Sequence, residues 1–292
     1  MYLVVGANGF LGTYLIKNIL DMTDERVLAA DLNCPPESRA RVEWTKCDIT
    51  SDADIAALRE KTGGQKLKIL FLAAYHHPDA VAKNPRLAWE INIVALAKFL
   101  DAFYDADALY YPSTEVVYGE SGGSRLKEDA PLNPVSRYGQ FKRTAESMVC
   151  LAGFNVVRFP VLMGQSLLPD RPHFTDRILD SLKNGETVEM FSDQYRTFID
   201  FDTAAKTVVA LTQTEAARQY PVVNVSGDER LSKYEYACRL AAAHGFDARV
   251  IKPVSMNANT GIFTEKRANE TLLDNTLVKR ILGLTELKVK VQ

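Results

Sequence analysis

Four apolar residues, Tyr2 to Val5, open the chain and stop at a glycine. A short fully apolar run ended this way predicts a buried parallel strand. From Phe10 the period changes: Leu11, Tyr14, Leu15 and Ile19 recur at spacings of three and four, which predicts a helix with one apolar face. RVLAAD, ending at Asp31, reads as a second strand, KILFLAA as a third, ALYYPS as a fourth and FNVVRF as a fifth. Leu87, Ile91, Val94 and Ala95 line a helix after Pro85, and another helix spans about Ser136 to Leu151. Strand and helix thus alternate over the first 160 or so residues, the pattern of an α/β, Rossmann-type doubly wound parallel sheet with helices on both faces.

Beyond Phe159 the pattern loosens. HFTDRILDSLKNG, TAAKTVVALTQ and SKYEYACRLAAAHG read as helices, the last with Ser232 as N-cap and Gly245 as its stop. VVNVSG reads as a strand, and loops rich in Pro, Asp and Asn separate these pieces. We therefore expect a dinucleotide-binding domain over 1–160, with 200–227 returning to it. A smaller, mixed α/β C-terminal substrate lobe takes 161–199 and 228–292.

The totals narrow the class. The chain has 292 residues, 47% hydrophobic and 25% charged, with 35 Lys plus Arg against 37 Asp plus Glu. A net charge of -2 gives no basic footprint for nucleic acid or a membrane surface, so neither is expected as a partner. Cys34, Cys47, Cys150 and Cys238 show no metal or redox spacing and are read as free thiols, with no metal expected. The N-terminus lacks a basic segment followed by an apolar one, and the longest apolar stretch is far short of a membrane span. The expected location is cytoplasmic.

Candidate chemistry begins with GANGFLG. Gly6, Gly9 and Gly12 follow a strand and open a helix. Such glycines allow a tight turn, backbone approach to a diphosphate, and close helix-to-sheet packing. A plain strand-to-helix turn would use similar residues. What favours the cradle is Asp31, ending the next strand 19 residues after Gly12. A carboxylate there accepts from an adenosine ribose and repels a 2′-phosphate, which favours NAD over NADP. Arg39 and Arg41 downstream soften that preference, and NADP stays open.

SRYGQFKRTAE places Tyr138 and Lys142 four residues apart, on one helix face. An ammonium beside a phenol lowers the phenol's pKa, so the pair is a candidate proton shuttle, although this spacing is common on helix surfaces. YYPSTEVVYGE puts Ser113 and Thr114 at the C-terminal end of a strand, where such sheets bind ligands. Thr114 can share a substrate oxygen with Tyr138, or both hydroxyls can serve the turn backbone.

These motifs, in this order over essentially the whole chain, resemble the extended short-chain dehydrogenase/reductases. The resemblance implies cofactor contacts from Gly6, Asn8, Gly9, Phe10, Leu11, Gly12 and Asp31, and from Asp48 and Ile49 on the adenine side. It adds Leu72, Ala73, Ala74, Asn92, Tyr138 and Lys142. Arg158 in VVRFP and Asn224 to Gly227 also fit the pattern. It implies catalysis by Thr114, Tyr138 and Lys142.

STEVVYGE, SDQYRTFIDFDTAA and KRANETLLDNTLVKRILG are similar to segments of the dTDP-4-dehydrorhamnose reductase branch, with Glu115 in place of its Asp. Dehydratases of the wider family carry an acidic base where this chain has Val116, which argues against a 4,6-dehydratase. Three departures weaken the reductase match: SDQYRTFID lacks the branch's usual proline, and two more follow. Val161 stands where that branch has a tryptophan, and AAYHHPDAVAKNP is closer to an epimerase loop.

The resemblance thus implies NAD(P)-dependent 4-keto reduction of a nucleotide-activated sugar. Epimerisation is the alternative, and a cofactor-binding regulatory subunit without turnover is the alternative of another class. Candidate substrate contacts are Glu115, His76, His173, Arg196 and Arg267. His76 and His77 are also readable as polar cover at the crevice mouth. A homodimer through the helices around Arg86–Tyr104 and Ser136–Leu151 is what the family implies.

Overall fold

A computed structural model describes residues 1–35, 39–258, 261 and 263–291. The strands in chain order are β1 (Tyr2–Val5), β2 (Val27–Asp31), β3 (Val42–Lys46), β4 (Lys68–Phe71), β5 (Ala108–Thr114), β6 (Arg125–Leu126), β7 (Asn155–Phe159) and β8 (Leu162–Met163). They continue with β9 (Val188–Phe191), β10 (Tyr195–Arg196), β11 (Ile199–Asp200), β12 (Val222–Asn224), β13 (Leu231–Ser232), β14 (Ile251–Val254) and β15 (Glu270–Leu273). The helices are α1 (Phe10–Met22), α2 (Asp52–Lys61), α3 (Pro78–Lys83), α4 (Pro85–Trp89), α5 (Ala95–Ala102) and α6 (Arg137–Leu151). They continue with α7 (Phe174–Lys183), α8 (Phe201–Gln213), α9 (Lys233–Ala243) and α10 (Thr276–Leu282).

Seven parallel strands form the main sheet in the order β12-β7-β5-β4-β1-β2-β3. The order reverses between β1 and β4, and a doubly wound sheet opens its ligand crevice at that reversal. Alternation along the strands divides the core. Tyr2, Val4, Ala108 and Tyr110 face the layer that contains Leu15, Ile19, Val208 and Val278. Leu3, Val5, Leu109 and Tyr111 face the layer that contains Ile55, Phe99, Ala145 and Val149. Burial on both faces explains why these strands read as continuous apolar runs.

Two elements escape the apolar pattern. β3 is half polar because it is the sheet edge, and α2 carries only Ile55 and Leu58 inward. The expected single helix after Pro85 is α4 and α5 joined by a π-turn over Glu90–Val94. That turn buries Asn92, whose amide clasps both Tyr75 N (2.8 Å) and Tyr75 O (3.0 Å).

The second lobe has its own core around Ile178, Leu179, Leu231, Tyr236, Leu240 and Ile251. Its sheets are β13-β10-β15-β6 and two strand pairs, β11-β8 and β14-β9. Ser232 caps α9 through Glu235 N, with Glu235 reaching back to Ser232 N. The chain then returns: Val278 of α10 and Leu287 pack into the first lobe's core beside α8 and β12.

Candidate active site

Gly6 leaves β1 at φ +80°, where a side chain would be strained, and a Cβ there would lie 2.8 Å from Ala73 N. This close approach brings Ala73 and Ala74, just past β4, against the glycine turn. Gly12 packs even more tightly, with a Cβ meeting Ala7 O at 2.5 Å and Gly6 O at 2.6 Å. Gly9 is the N-cap of α1 and offers no side-chain cap, so the N–H groups of Phe10 and Leu11 stand at an open helix N-terminus. Asp31 ends β2 beside this turn: one carboxylate oxygen accepts from Asn8 N (2.9 Å), the other from Asn33 N (3.1 Å). Arg41, a possible counterweight to Asp31, instead donates to Leu20 O and Thr23 O at the opposite end of α1. A bare helix start, a turn with no room for a Cβ and a carboxylate one strand over fit a dinucleotide's diphosphate and adenosine ribose.

The other expected contacts divide by role. Ile49 is buried in the core, and Asp48 organises its own turn by accepting from Thr50 N and Thr50 Oγ1. Asn92 has its amide committed to Tyr75, so it acts by holding the loop after β4 rather than by reaching into the crevice. Leu72 continues that strand beside β1.

Thr114 ends β5, and its oxygen accepts from Val116 N at 3.4 Å. Ser113 faces the other way, buried with its hydroxyl unpartnered. Tyr138 and Lys142 lie on consecutive turns of α6, whose start is capped by Ser136. Among the described residues the Tyr138 hydroxyl has no hydrogen-bond partner. Lys142 is 3% exposed, and its Nζ donates to Tyr111 Oη (2.8 Å) and Pro112 O (2.6 Å) rather than to Tyr138.

The expected lowering of the phenol's pKa is therefore not what this geometry gives. Burial, reinforced by the Glu115 charge, pushes Tyr138 up. Burial also lowers Lys142 to about 7, against the pull of Glu146 one turn further on. Glu146 in turn meets the Arg158 guanidinium (2.7 Å), which also reaches Tyr118 Oη and Glu128 O. One face of α6 thus carries a buried polar chain from the crevice to β7.

The second lobe closes the crevice from two sides. On one, Arg196 (4% exposed) donates from Nε to Glu115 Oε1 at 2.8 Å. Its other nitrogens go to Tyr195 O, Ala268 O and Asn269 O. Glu115 is pushed up to about 7 by burial, against Arg196 and the Val161 backbone, and among the described residues its Oε2 is buried with no hydrogen bond of normal geometry. Lys233 at the start of α9 is lowered to about 8 by burial and by the charges of Arg196 and Arg267. Arg267 pairs with Asp79 (3.0 Å), stacks on Phe263, and keeps a buried Nη1 without a hydrogen-bond partner among the described residues.

On the other side, His173 lies edge-on to Phe10 and Phe201, with Nδ1 3.2 Å from Gly164 O. Arg171 sits over the Phe10 ring and donates to Asn8 O (2.6 Å). His76 at the crevice mouth is lowered first by burial of its ring and further by the charges of Lys142, His77 and Arg171, against a bond to the Ala74 backbone.

Residues 1–290 match the RmlD substrate binding domain family. The chain belongs to that family. Its curated relatives include "Methionine adenosyltransferase 2 subunit beta" of Xenopus laevis, 29% identical over 87% of this chain and 75% of that protein. Solved structures with the same fold include a dTDP-4-dehydrorhamnose reductase of Bacillus anthracis in complex with NADP, with TM-score 0.80 and 20% identity over 99% of this chain and 94% of that one. Another is the UDP-glucuronic acid 4-epimerase of Bacillus cereus in complex with UDP-glucuronic acid and NAD, with TM-score 0.82 and 21% identity over 100% and 94%. The structural neighbours of the chain thus include a dTDP-4-dehydrorhamnose reductase and a UDP-glucuronic acid 4-epimerase.

Within this family frame, sequence reasoning missed three residues. Arg171 and Lys233 have no motif around them in the sequence, and only folding aims them at the crevice. Tyr111 had a legible signal, a tyrosine inside a central strand, where a hydroxyl needs a partner. Among the described residues no helix is long and apolar enough to cross a membrane, and no acidic, His or Cys group could hold a metal ion.

Proposed function

We propose that this protein is an NAD-dependent oxidoreductase that reduces the 4-keto group of a nucleotide-activated sugar. One observation supports the reading: Lys142 of α6 donates to Tyr111 Oη and Pro112 O of β5, the strand that Thr114 ends, in the same sheet whose β1 runs into the glycine turn. Tyr138 keeps its proton and has no hydrogen-bond partner among the described residues, so its hydroxyl is available to a substrate oxygen. The nicotinamide, when bound, supplies the hydride. Tyr138 then delivers its proton to the sugar oxygen, and Thr114 donates to the same oxygen and orients it. Lys142 would hold the cofactor's ribose and offset the charge left on the phenol.

Arg171 and the start of α1 would hold the cofactor's diphosphate, and Asp31 its adenosine ribose. Arg267 Nη1 and Lys233 would take the substrate's diphosphate, and the unpartnered Glu115 Oε2 a sugar hydroxyl. His76 stands at the mouth, while His173 acts by fixing Phe10. Epimerisation would use the same core, with Tyr138 first ionised, then taking the sugar hydroxyl's proton and later returning it.

The experiment is turnover of a panel of 4-keto nucleotide sugars with NADH. We expect Tyr138→Phe to lower it by about two to four orders of magnitude while leaving NADH affinity unchanged. Equal turnover in the two proteins removes Tyr138 from the mechanism.

The reading of another class, a cofactor-binding subunit, is favoured by the subunit name of the Xenopus relative and by Lys142 turning toward Tyr111. NADH binding without turnover across the panel, together with an altered activity of a copurifying enzyme, would select it. Leu87, Trp89, Tyr104 and Leu151, exposed on α4 to α6 and their ends, support a homodimer through these helices. We assign the protein to the cytoplasm on its four free thiols.

A further inference from the structure

β5 carries two successive tyrosines, both essentially buried and facing opposite sides of the sheet. A phenol in a core strand must find a polar partner. Tyr110 finds a structural one: its hydroxyl donates to Leu211 O in the last turn of α8, at 3.2 Å. Tyr111 has a different solution. Among the described residues its hydroxyl bonds only to Lys142 Nζ, at 2.8 Å, and the same ammonium lies 4.0 Å from its ring centre.

An ammonium has three donors. Two are taken by β5, one by Tyr111 Oη and one by Pro112 O. These two bonds fix Nζ where α6 crosses the end of the sheet. We infer that Tyr111 is a positioning residue, whose hydroxyl accepts from Lys142 and holds the ammonium at the crevice with its third donor free for the ligand. This rests on the reading of Lys142 as the lysine that serves cofactor and Tyr138.

The surroundings explain why the lysine needs such a partner. Burial has already brought Lys142 down to about 7. The charged and titratable groups facing it are Tyr138 and Glu146 from α6, Tyr111 from β5 and His76 from the loop after β4. Arg158 on β7 neutralises Glu146 from behind. Among the described residues, the Tyr111 and Pro112 oxygens are the ammonium's only hydrogen-bond acceptors. Deleting one acceptor from a buried cation lowers its pKa by about one unit.

The test compares Tyr111→Phe with Tyr110→Phe, which removes an equivalent hydroxyl from the same strand without touching Lys142. Protein containing lysine isotope-labelled at Cε is titrated by NMR, with the Lys142 signal assigned by its loss in Lys142→Arg. We expect the Lys142 midpoint to fall by about one pH unit in Tyr111→Phe and to stay in place in Tyr110→Phe. NADH affinity near neutral pH should weaken about tenfold in the first variant and less than about twofold in the second. Tyr111→His retains a ring acceptor, keeps the midpoint within about half a unit of native, and serves where the Phe variant does not fold. Coincident midpoints in native and Tyr111→Phe protein, or equal shifts in both Phe variants, would overturn the assignment. Native protein that binds neither NADH nor NADPH would defeat the cofactor reading alone, because the NMR midpoint still decides the role of Tyr111.

Discussion

Gly12→Ala and Gly9→Ala should fail in different ways. At Gly12 an added Cβ would lie 2.5 and 2.6 Å from two backbone oxygens, those of Ala7 and Gly6. Neither oxygen can swing aside as a side chain does, so α1 must retreat from the β1 turn by nearly an ångström. Overpacking of this kind costs about 1–3 kcal/mol. Alanine recovers up to about 1 kcal/mol of helix propensity, less in a first turn. The clash wins by about 1–2 kcal/mol, which for a chain of this size lowers Tm by about 2–8 °C.

Gly9 has an ordinary backbone (φ −87°, ψ 167°), and a Cβ there meets only Gly6 O, at 3.1 Å. Its alanine variant should therefore unfold within about 1 kcal/mol of native. The methyl would instead occupy the diphosphate's approach, and NADH affinity should fall at least about tenfold. Thermal unfolding followed by circular dichroism and NADH calorimetry separate the two effects. A Gly12→Ala protein as stable as native would refute the packing argument. A Gly9→Ala protein that binds NADH normally would refute the cradle.

Two other perturbations probe charge. Asp31→Ala should narrow the preference for NADH over NADPH by relieving repulsion of the 2′-phosphate; calorimetry in which the native protein already prefers NADPH would contradict this role. Glu115 has a folded pKa raised from 4.5 to about 7. Below the lower value both states hold the proton and its stabilisation is complete; as pH rises through about 7 the folded protein loses up to about 3 kcal/mol from this group. Urea titrations at several pH values should show that decline in native protein and its absence in Glu115→Gln, and parallel slopes would show that Glu115 titrates normally.

Much of this protein is written locally. Runs such as Tyr2–Val5 and Ala108–Thr114 are buried on both faces, so their composition alone marks them as strands, and Ser136 and Ser232 announce helices because caps act within one turn. Gly6, Gly9, Gly12 and Asp31 were legible as a candidate cradle for the same reason: one strand-turn-helix unit and its neighbour hold them all. β3 and α2 were not, since an edge strand and a thinly buried helix lack a strong apolar period. Spacing placed Tyr138 and Lys142 on one helix face but could not say which atoms each would meet. Tertiary packing decided that, by setting Tyr111 of β5 under the ammonium and Glu115 of the next turn against Arg196 from the other lobe, 81 residues away. Arg171 likewise reaches Asn8 across 163 residues. A residue's type and period are properties of its own segment. Its charge state and partners depend on whatever the fold brings beside it, and in this crevice that comes from both lobes.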